Sequence, residues 1–159
     1  MGEGGVKMEN DSQKKLSVVI RKMEEEDIGS VLEIDRKISG KDRASTYTTM
    51  PTNYVGGELD ISVVAEVDGK IVGFLLGRVT SSPTEMGDSY LLELIGVDPE
   101  YRRQNLGKQL VKAFEQYCRE KGATTIRVLV SWHDWWLLSF LRSLDFSRGE
   151  MTEFVKPIE

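Results

Sequence analysis

The fold is decided by residues 91–108, which have the sequence LLELIGVDPEYRRQNLGK. The first part of this stretch is apolar and typical of a buried strand, which ends at Asp98-Pro99. A basic turn follows, and an amphipathic helix begins directly after Asn105. This order brings several free backbone N–H groups and the positive end of a helix dipole to one place. The stretch therefore predicts an anion site, and phosphate is the usual occupant of such a site.

The same residues carry a resemblance to a known family. Residues 102–107 (RRQNLG) resemble the Arg/Gln-x-x-Gly-x-Gly/Ala motif of the GNAT N-acetyltransferase superfamily, where it follows a strand ending in a Val-Asp-Pro-like step. Asn105 stands where the family usually has its first glycine. Because asparagine tolerates left-handed backbone angles better than other non-glycine residues, we expect the turn to keep its conformation.

Other phosphate-binding motifs do not fit this chain. A Walker loop needs Ser or Thr after Gly-Lys, but Gln109 follows Gly107-Lys108. The sequence contains no G-x-G-x-x-G dinucleotide fingerprint either.

Composition narrows the class of protein further. The chain has 159 residues, enough for one domain, and its formal net charge of −5 argues against nucleic-acid binding. It has one cysteine, Cys118, so it forms no internal disulfide, and no apolar run is long enough to span a membrane. We expect a cytoplasmic protein without membrane association, and the sequence gives no reason to expect a metal site.

The chain divides into a flexible N-terminal tail, residues 1–15, and one folded domain, residues 16–159. Strands are predicted at residues 18–20, 61–67, 71–79, 90–97 and 125–130, with one or two closing strands in 146–155. Helices are predicted from the acidic cluster at 24–27 to residue 40, from 106 to 122, and over 134–144. Residues 41–58 are expected to recognise substrate. The order resembles that of the GNAT fold, an α/β fold with a central twisted mixed sheet and helices on both faces.

The resemblance implies acetyl-CoA as co-substrate and direct attack of a primary amine on its thioester. Its pyrophosphate would lie against the basic turn and the helix start, formed by Arg102, Arg103, Gln104, Asn105, Leu106, Gly107 and Lys108. The pantetheine arm would pair like an added strand with the backbone of Ile95, Gly96 and Val97. One of these N–H groups would stabilise charge on the thioester oxygen. Gly96 suits a splay or bulge where another chain approaches closely.

Glu93 is the candidate catalytic base. It is the one carboxylate in an otherwise apolar strand, and GNAT proteins often carry a glutamate four residues before the strand-ending valine, here Val97. A base is useful because the attacking amine must lose a proton. The alternative is a glutamate that points outward or pairs with a basic neighbour.

The C-terminal part departs from the family pattern. GNAT enzymes commonly show Asn-x-x-Ala-x-x-Phe-Tyr, whose tyrosine protonates the departing thiolate, whereas here the run begins at Asp134 and has Leu141 at the tyrosine position. Three alternatives follow from Leu141. Water or another residue supplies the proton to the thiolate, or the reaction needs no general acid. In the third alternative the protein binds acyl-CoA without catalysing a reaction.

Three residues near this run are candidates for binding the acceptor: Trp132, Asp134 and Trp135. Indole faces attract ammonium groups. For the tryptophans the alternative is packing in the core or across a homodimer interface, and for Asp134 it is capping of the following helix. His133, the only histidine, is more simply structural than catalytic.

The sequence therefore favours an acetyl-CoA-dependent N-acetyltransferase acting on a small-molecule or protein amine. The alternative is a non-catalytic acyl-CoA-binding regulatory or sensor domain that has lost the chemistry together with the tyrosine.

Overall fold

The computed structural model of the protein describes residues 17–40, 61–80 and 89–159. The predicted N-terminal tail and the predicted recognition segment at 41–58 lie outside these residues.

The described chain forms one mixed sheet with three helices. The strands are β1 (Val18–Lys22), β2 (Val63–Val67), β3 (Lys70–Thr80), β4 (Ser89–Val97) and β5 (Thr125–Val128), and the helices are α1 (Ile28–Ser39), α2 (Leu106–Glu120) and α3 (Trp135–Ser143). The strands follow one another in the order β1-β2-β3-β4-β5. The first four pair antiparallel, and β4 pairs parallel with β5. The predicted mixed sheet is confirmed.

Helices cover both faces of this sheet. On one face, the buried side chains Leu110, Val111 and Phe114 of α2 pack in a cluster with residues of β2, β3 and β4. On the other face, Val31 and Ile34 of α1 pack in a second cluster. None of the helices in the described ranges is long and apolar enough to cross a membrane.

Helix α2 lies unusually close to the sheet at Gly77. A Cβ atom added to this glycine would lie 2.2 Å from Cε2 of Phe114, a distance too short for two carbon atoms that are not bonded to each other. The missing side chain therefore lets the aromatic ring rest directly on the backbone of β3. This contact fixes the height of α2 above the sheet and, with it, the position of the helix N-terminus.

The local signals in the sequence place most elements correctly. The Asp68-Gly69 turn joins β2 to β3, and both residues have positive φ (48° and 82°), as a two-residue hairpin turn requires. The acidic cluster forms a 3₁₀ turn, Glu25–Asp27, directly before α1. There Asp27 accepts two hydrogen bonds from Arg21 of β1, at 2.7 and 2.9 Å.

The predicted closing strands are wrong for the described chain, since residues 144–159 contain no helix or strand. A strand needs a partner for its backbone, and this segment finds none in the described residues: all side chains from residue 147 to residue 159 are exposed. The sheet thus ends at β5.

Candidate active site

The pairing of β4 with β5 ends partway along β4, and we call the region beside the remaining edge of β4 the cleft. The two parallel strands pair from Ser89 to Leu92 on β4, opposite Thr125 to Val128 on β5, and no further. β4 continues to Val97, so the edge of its last five residues that faces β5 has no strand partner among the described residues. The predicted free backbone at Ile95, Gly96 and Val97 lies in this part of the strand.

Glu93 is the first residue of β4 beyond the pairing with β5. Leu92 pairs with Gly77 of β3 and Leu94 pairs with Leu76, so two consecutive residues of β3 face three residues of β4. Glu93 is the extra residue of a β-bulge, and such bulges bend the strand that carries them. The expectation that a bulge falls at Gly96 is wrong. A Cβ at Gly96 would lie 2.8 Å from Ile38 of α1, so this glycine serves helix packing instead.

The carboxylate of Glu93 is paired. Arg78 of β3 donates a hydrogen bond to it through Nε, and the side chain of Glu93 is only 10% exposed. The structure thus contains the basic neighbour that was the alternative to a free catalytic carboxylate. The pair holds Glu93 at the start of the cleft, and a proton-accepting role for it remains a prediction.

The turn after β4, residues 102–108, is the predicted anion cradle. Asn105 has φ 56° and ψ 24°, the left-handed conformation expected for a residue that replaces glycine, and Arg103 has φ 70°. The side chain of Asn105 makes no capping hydrogen bond to α2. Because the first N–H groups of a helix lack partners within the helix, those of Leu106, Gly107 and Lys108 have no partner inside α2.

The predicted cradle residues differ in what they offer a ligand. The side chains of Arg102, Arg103 and Lys108 are exposed and surround the N-terminus of α2 with positive charge. Leu106 is buried in the core, so only its backbone can contribute. The backbone carbonyl of Gln104 accepts a 3.4 Å hydrogen bond from the Gln109 side chain.

Helix α3 approaches the cradle through Phe140. A Cβ at Gly107 would lie 3.2 Å from the Phe140 ring, so the glycine permits this contact between α2 and α3. An open groove runs along α3 from this point. Its lining residues are Trp135, Trp136, Ser139, Phe140 and Ser143.

A half-buried ion pair, which the sequence does not signal, secures the end of β4. Lys37 of α1 donates to Asp98 over 3.0 Å, and Asp98 is 2% exposed. Burial acts to raise the pKa of Asp98, but hydrogen bonds from the Glu100 N–H and from Lys37 outweigh it, and the pKa of this carboxyl lies below its usual value. The same hydrogen bond raises the pKa of Lys37. The pair ties the last turn of α1 to the start of the cradle turn.

The predicted acceptor residues do not converge on one point. Asp134 caps α3, since its Oδ1 accepts a 3.0 Å hydrogen bond from the N–H of Leu137. The ring of Trp132 already makes a cation–π contact, because the Arg148 guanidinium lies 5.2 Å from the ring centroid. Trp135 is 78% exposed on α3. The structure therefore gives Asp134 the capping role that the sequence left open.

Two further side chains, those of Leu141 and Cys118, are buried. Leu141, at the family's tyrosine position, is 5% exposed and belongs to the core. Burial raises the pKa of Cys118 to about 12, so the thiol stays protonated at neutral pH. His133 is exposed, and its backbone N–H donates to Ser131.

The sequence model of the Acetyltransferase (GNAT) family matches residues 28–134, which include the bulge, the cleft and the cradle. The chain belongs to the GNAT acetyltransferase family. It is also 30% identical, over 104 residues, to an N-acetyltransferase of Methanocaldococcus jannaschii described as uncharacterized. The match covers 63% of this chain and 58% of that relative, so this chain spans little more than half of the relative's length.

Solved structures share the fold. The aminoglycoside N-acetyltransferase AAC(6')-Iy in complex with CoA superposes with a TM-score of 0.76 at 18% identity, over 89% of this chain and 95% of that one. The ribosomal-protein-alanine N-acetyltransferase of Brucella melitensis biovar Abortus has a TM-score of 0.71 at 14% identity, over 90% and 100% of the two chains. At these identities the likeness shows the GNAT fold alone.

Proposed function

We propose that the protein is an N-acetyltransferase that transfers an acetyl group from acetyl-CoA to a primary amine. The observation that carries this proposal is the separation of β4 from β5 at Glu93, beside the N-terminus of α2. A free strand edge next to an anion cradle would suit CoA, which combines an amide chain with a pyrophosphate.

The cradle fits the pyrophosphate. The free N–H groups of the first turn of α2 and the positive end of its dipole favour a bound anion. Arg102, Arg103 and Lys108 add three exposed cations at the same end of the helix. No side-chain cap competes for the N–H groups, because Asn105 makes none.

The free edge of β4 fits the pantetheine arm. Its amides would continue the sheet by hydrogen bonding to the backbone of Ile95, Gly96 and Val97. When bound, acetyl-CoA supplies an acetyl group that is already activated as a thioester. A backbone N–H of this strand would then stabilise the negative charge that develops on the carbonyl oxygen.

Glu93 is proposed as the proton acceptor. A lysine-type amine titrates near ~10.4 and is mostly protonated at neutral pH, so it must lose a proton before it attacks. That proton passes to the carboxylate, directly or through water, and the neutral amine then attacks, so that the C–N bond forms and the C–S bond breaks. A thiol titrates near ~8.5, so the departing sulfur can take its proton from solvent without a donor at Leu141.

The acceptor is proposed to be a cationic amine. The net charge of −5 favours such a molecule, and the exposed indole of Trp135 offers a surface for an ammonium group. At Trp132 an acceptor would have to displace Arg148. The structural neighbours include acetyltransferases named for aminoglycosides and for a ribosomal protein, so both small-molecule and protein amines belong in the test.

Release of the CoA thiol from acetyl-CoA, measured over a panel of polyamines, aminoglycosides, amino acids and peptides, tests the activity. We expect at least one class of amine to stimulate thiol release. Binding of CoA without stimulation by any amine would instead support a regulatory acyl-CoA-binding domain.

The variant Gly107→Glu tests the site. Its carboxylate would lie in the cradle and should abolish the thermal stabilisation that CoA gives the wild type. Gly29→Glu is the matched control, since a side chain at Gly29 meets nothing within 4 Å. Because Gly107 also faces Phe140, the double variant Arg103→Glu, Lys108→Glu repeats the test with exposed residues only. Undiminished CoA stabilisation in both cradle variants would refute the assignment.

A further inference from the structure

Arg78 lies beside the proposed base, and most of its hydrogen-bonding capacity is unused. Its Nε donates to the carboxylate of Glu93, and within residues 17–40, 61–80 and 89–159 its guanidinium makes no other hydrogen bond or ion pair. A guanidinium has five N–H donors, so the four on Nη1 and Nη2 remain. The Arg78 side chain is 45% exposed, so a ligand can reach it.

The pair of Arg78 and Glu93 lies on the α1 side of the sheet. Side chains alternate along a strand, and Leu76, two residues before Arg78 on β3, packs in the cluster with α1. A Cβ at Gly77 would point the other way, toward Phe114 of α2. The pair therefore marks the start of the free part of β4, and an acceptor whose amine reaches the carboxylate also lies beside the guanidinium.

The two strands themselves offer no other charge near this pair. After Lys70, the sequences of β3 and β4 contain no charged residues except Arg78 and Glu93. An ammonium group that approaches the carboxylate also approaches the positive charge of Arg78, which repels it. A carboxylate on the acceptor, placed against Nη1 and Nη2, would offset this repulsion and accept two charge-assisted hydrogen bonds. The pair is thus complementary to a zwitterion.

We propose that the acceptor is a free α-amino acid whose carboxylate binds Arg78 while its amine faces Glu93, a proposal that rests on the acetyltransferase activity proposed above. In an α-amino acid a single carbon joins the amine to the carboxyl group, so its two charges are as close together as those of the contacting side chains. The guanidinium of Arg78 then selects the acceptor, and the carboxylate of Glu93 receives its proton.

The transfer balances with these groups. The α-ammonium gives one proton to Glu93, and the neutral nitrogen bonds to the acetyl carbon while the C–S bond breaks. The second proton that the nitrogen loses passes through solvent to the thiolate, and Glu93 returns its proton to water. The products are an N-acetyl amino acid and the CoA thiol.

Other amines fit the pair less well. A protein N-terminus has an amide in place of the carboxylate, and a polyamine has no anionic group, so both leave Nη1 and Nη2 of Arg78 without a charged partner. An α-amino acid with a basic side chain carries a net positive charge, so the proposal agrees with the attraction for cations expected from the net charge of −5.

Matched pairs of acceptors test the proposal. In the assay of thiol release, each common α-amino acid is compared with its own amide, which keeps the amine and the side chain but has no carboxylate. The missing negative charge makes the amine of the amide less basic, so reaction without recognition favours the amide. We expect kcat/KM of the wild type to be roughly 10- to 150-fold higher for the preferred amino acid than for its amide, the range for a hydrogen bond to a charged group.

Variants of Arg78 assign this preference to the guanidinium. Arg78→Gln should abolish the preference, chiefly by raising the KM for the amino acid, because the lost contact is present before and during the reaction. Arg78→Lys keeps the charge without the planar fork and should retain part of the preference. Arg119→Gln is the matched control: Arg119 lies exposed in the last turn of α2, bonded to Gln116, and this variant should keep the preference of the wild type.

The ratio between an amino acid and its amide also separates recognition from a structural role. A misplaced Glu93 would lower kcat/KM for both members of a pair alike and leave their ratio unchanged. A preference that survives in Arg78→Gln, or amides and polyamines that serve as well as amino acids in the wild type, would overturn the amino-acid acceptor and leave acetyl transfer in place. No stimulation of thiol release by any amine would refute the activity itself and the acceptor with it.

Discussion

The left-handed backbone at Asn105 gives a quantitative test of the cradle. A non-glycine residue at such angles costs roughly 1–2 kcal/mol, least for asparagine and most for a β-branched residue. Asn105 has φ 56° and ψ 24°. We therefore expect Asn105→Val to introduce roughly 1–2 kcal/mol of strain into the native turn. Asn105→Gly, which restores the usual family residue, should relieve strain and keep the affinity for CoA.

The strain in Asn105→Val must appear in one of two measurements. If the turn keeps its angles, the free energy of unfolding falls by the full amount, and Tm falls by about 2–4 °C for each kcal/mol in a domain of this size. If the turn relaxes, stability is retained, but CoA binding must restore the angles, and its affinity falls by up to about 5- to 30-fold. The sum of the two losses should be roughly 1–2 kcal/mol in either case. Urea denaturation and titration calorimetry with CoA measure them separately.

Asp145 supplies the control for this experiment. It also has positive φ, 65°, but lies after α3, away from the cradle. Asp145→Val should lose stability to a similar extent with no change in CoA affinity. An Asn105→Val protein that matches the wild type in both stability and CoA affinity would refute the assignment of the turn as a strained anion cradle.

Three further predictions follow from the site and its supports. Glu93→Gln should reduce turnover by ~10²–10⁴-fold without changing the Kd for CoA. Arg78→Gln breaks the same ion pair and should reduce turnover far less. Equal losses of turnover in the two variants would indicate that the pair is structural. Gly77→Ala places a carbon 2.2 Å from a ring atom of Phe114 in α2, and it should lower the free energy of unfolding, measured by urea denaturation, by about 1–3 kcal/mol. Gly29→Ala has open space around it and should not destabilise the protein. Asp98→Asn should be less stable than the wild type at pH 7, because the lowered pKa of Asp98 stabilises the native state above about pH 3.9. The difference in stability between the two proteins should shrink as the pH falls below that value. A difference that stays constant with pH would contradict a stabilising role for the ionised Asp98 carboxylate.

The sequence was sufficient for features that depend on neighbouring residues. The Asp68-Gly69 turn, the apolar face of α2 and the left-handed Asn105 each follow from local chemistry, and the structure has all three. The family motif predicts the position of the cradle for the same reason: its residues are contiguous.

Features that depend on how distant segments meet were not predictable in this way. The bulge at Glu93 is a mismatch in register between two strands, and neither strand shows it alone. The pairing of Arg78 with Glu93 follows from that register, and the Lys37–Asp98 pair depends on the packing of α1 across the sheet. The prediction of a closing strand was wrong because a strand-like sequence does not by itself supply backbone pairing, and residues 144–159 contain no strand in the described chain.

The bulge also means that β4 is one residue longer than its packing requires. Leu92 packs on the α2 side of the sheet, Leu94 on the α1 side, and Ile95 and Val97 again on the α2 side. A regular strand alternates between its two faces, so this order is the one expected if Glu93 were absent. A chain lacking Glu93 could therefore keep every apolar side chain of β4 on its present face while the strand ran straight and stayed alongside β5. The hydrophobic core, in other words, gives no reason for the length of β4, and the reason for the extra residue lies in the opening that it creates.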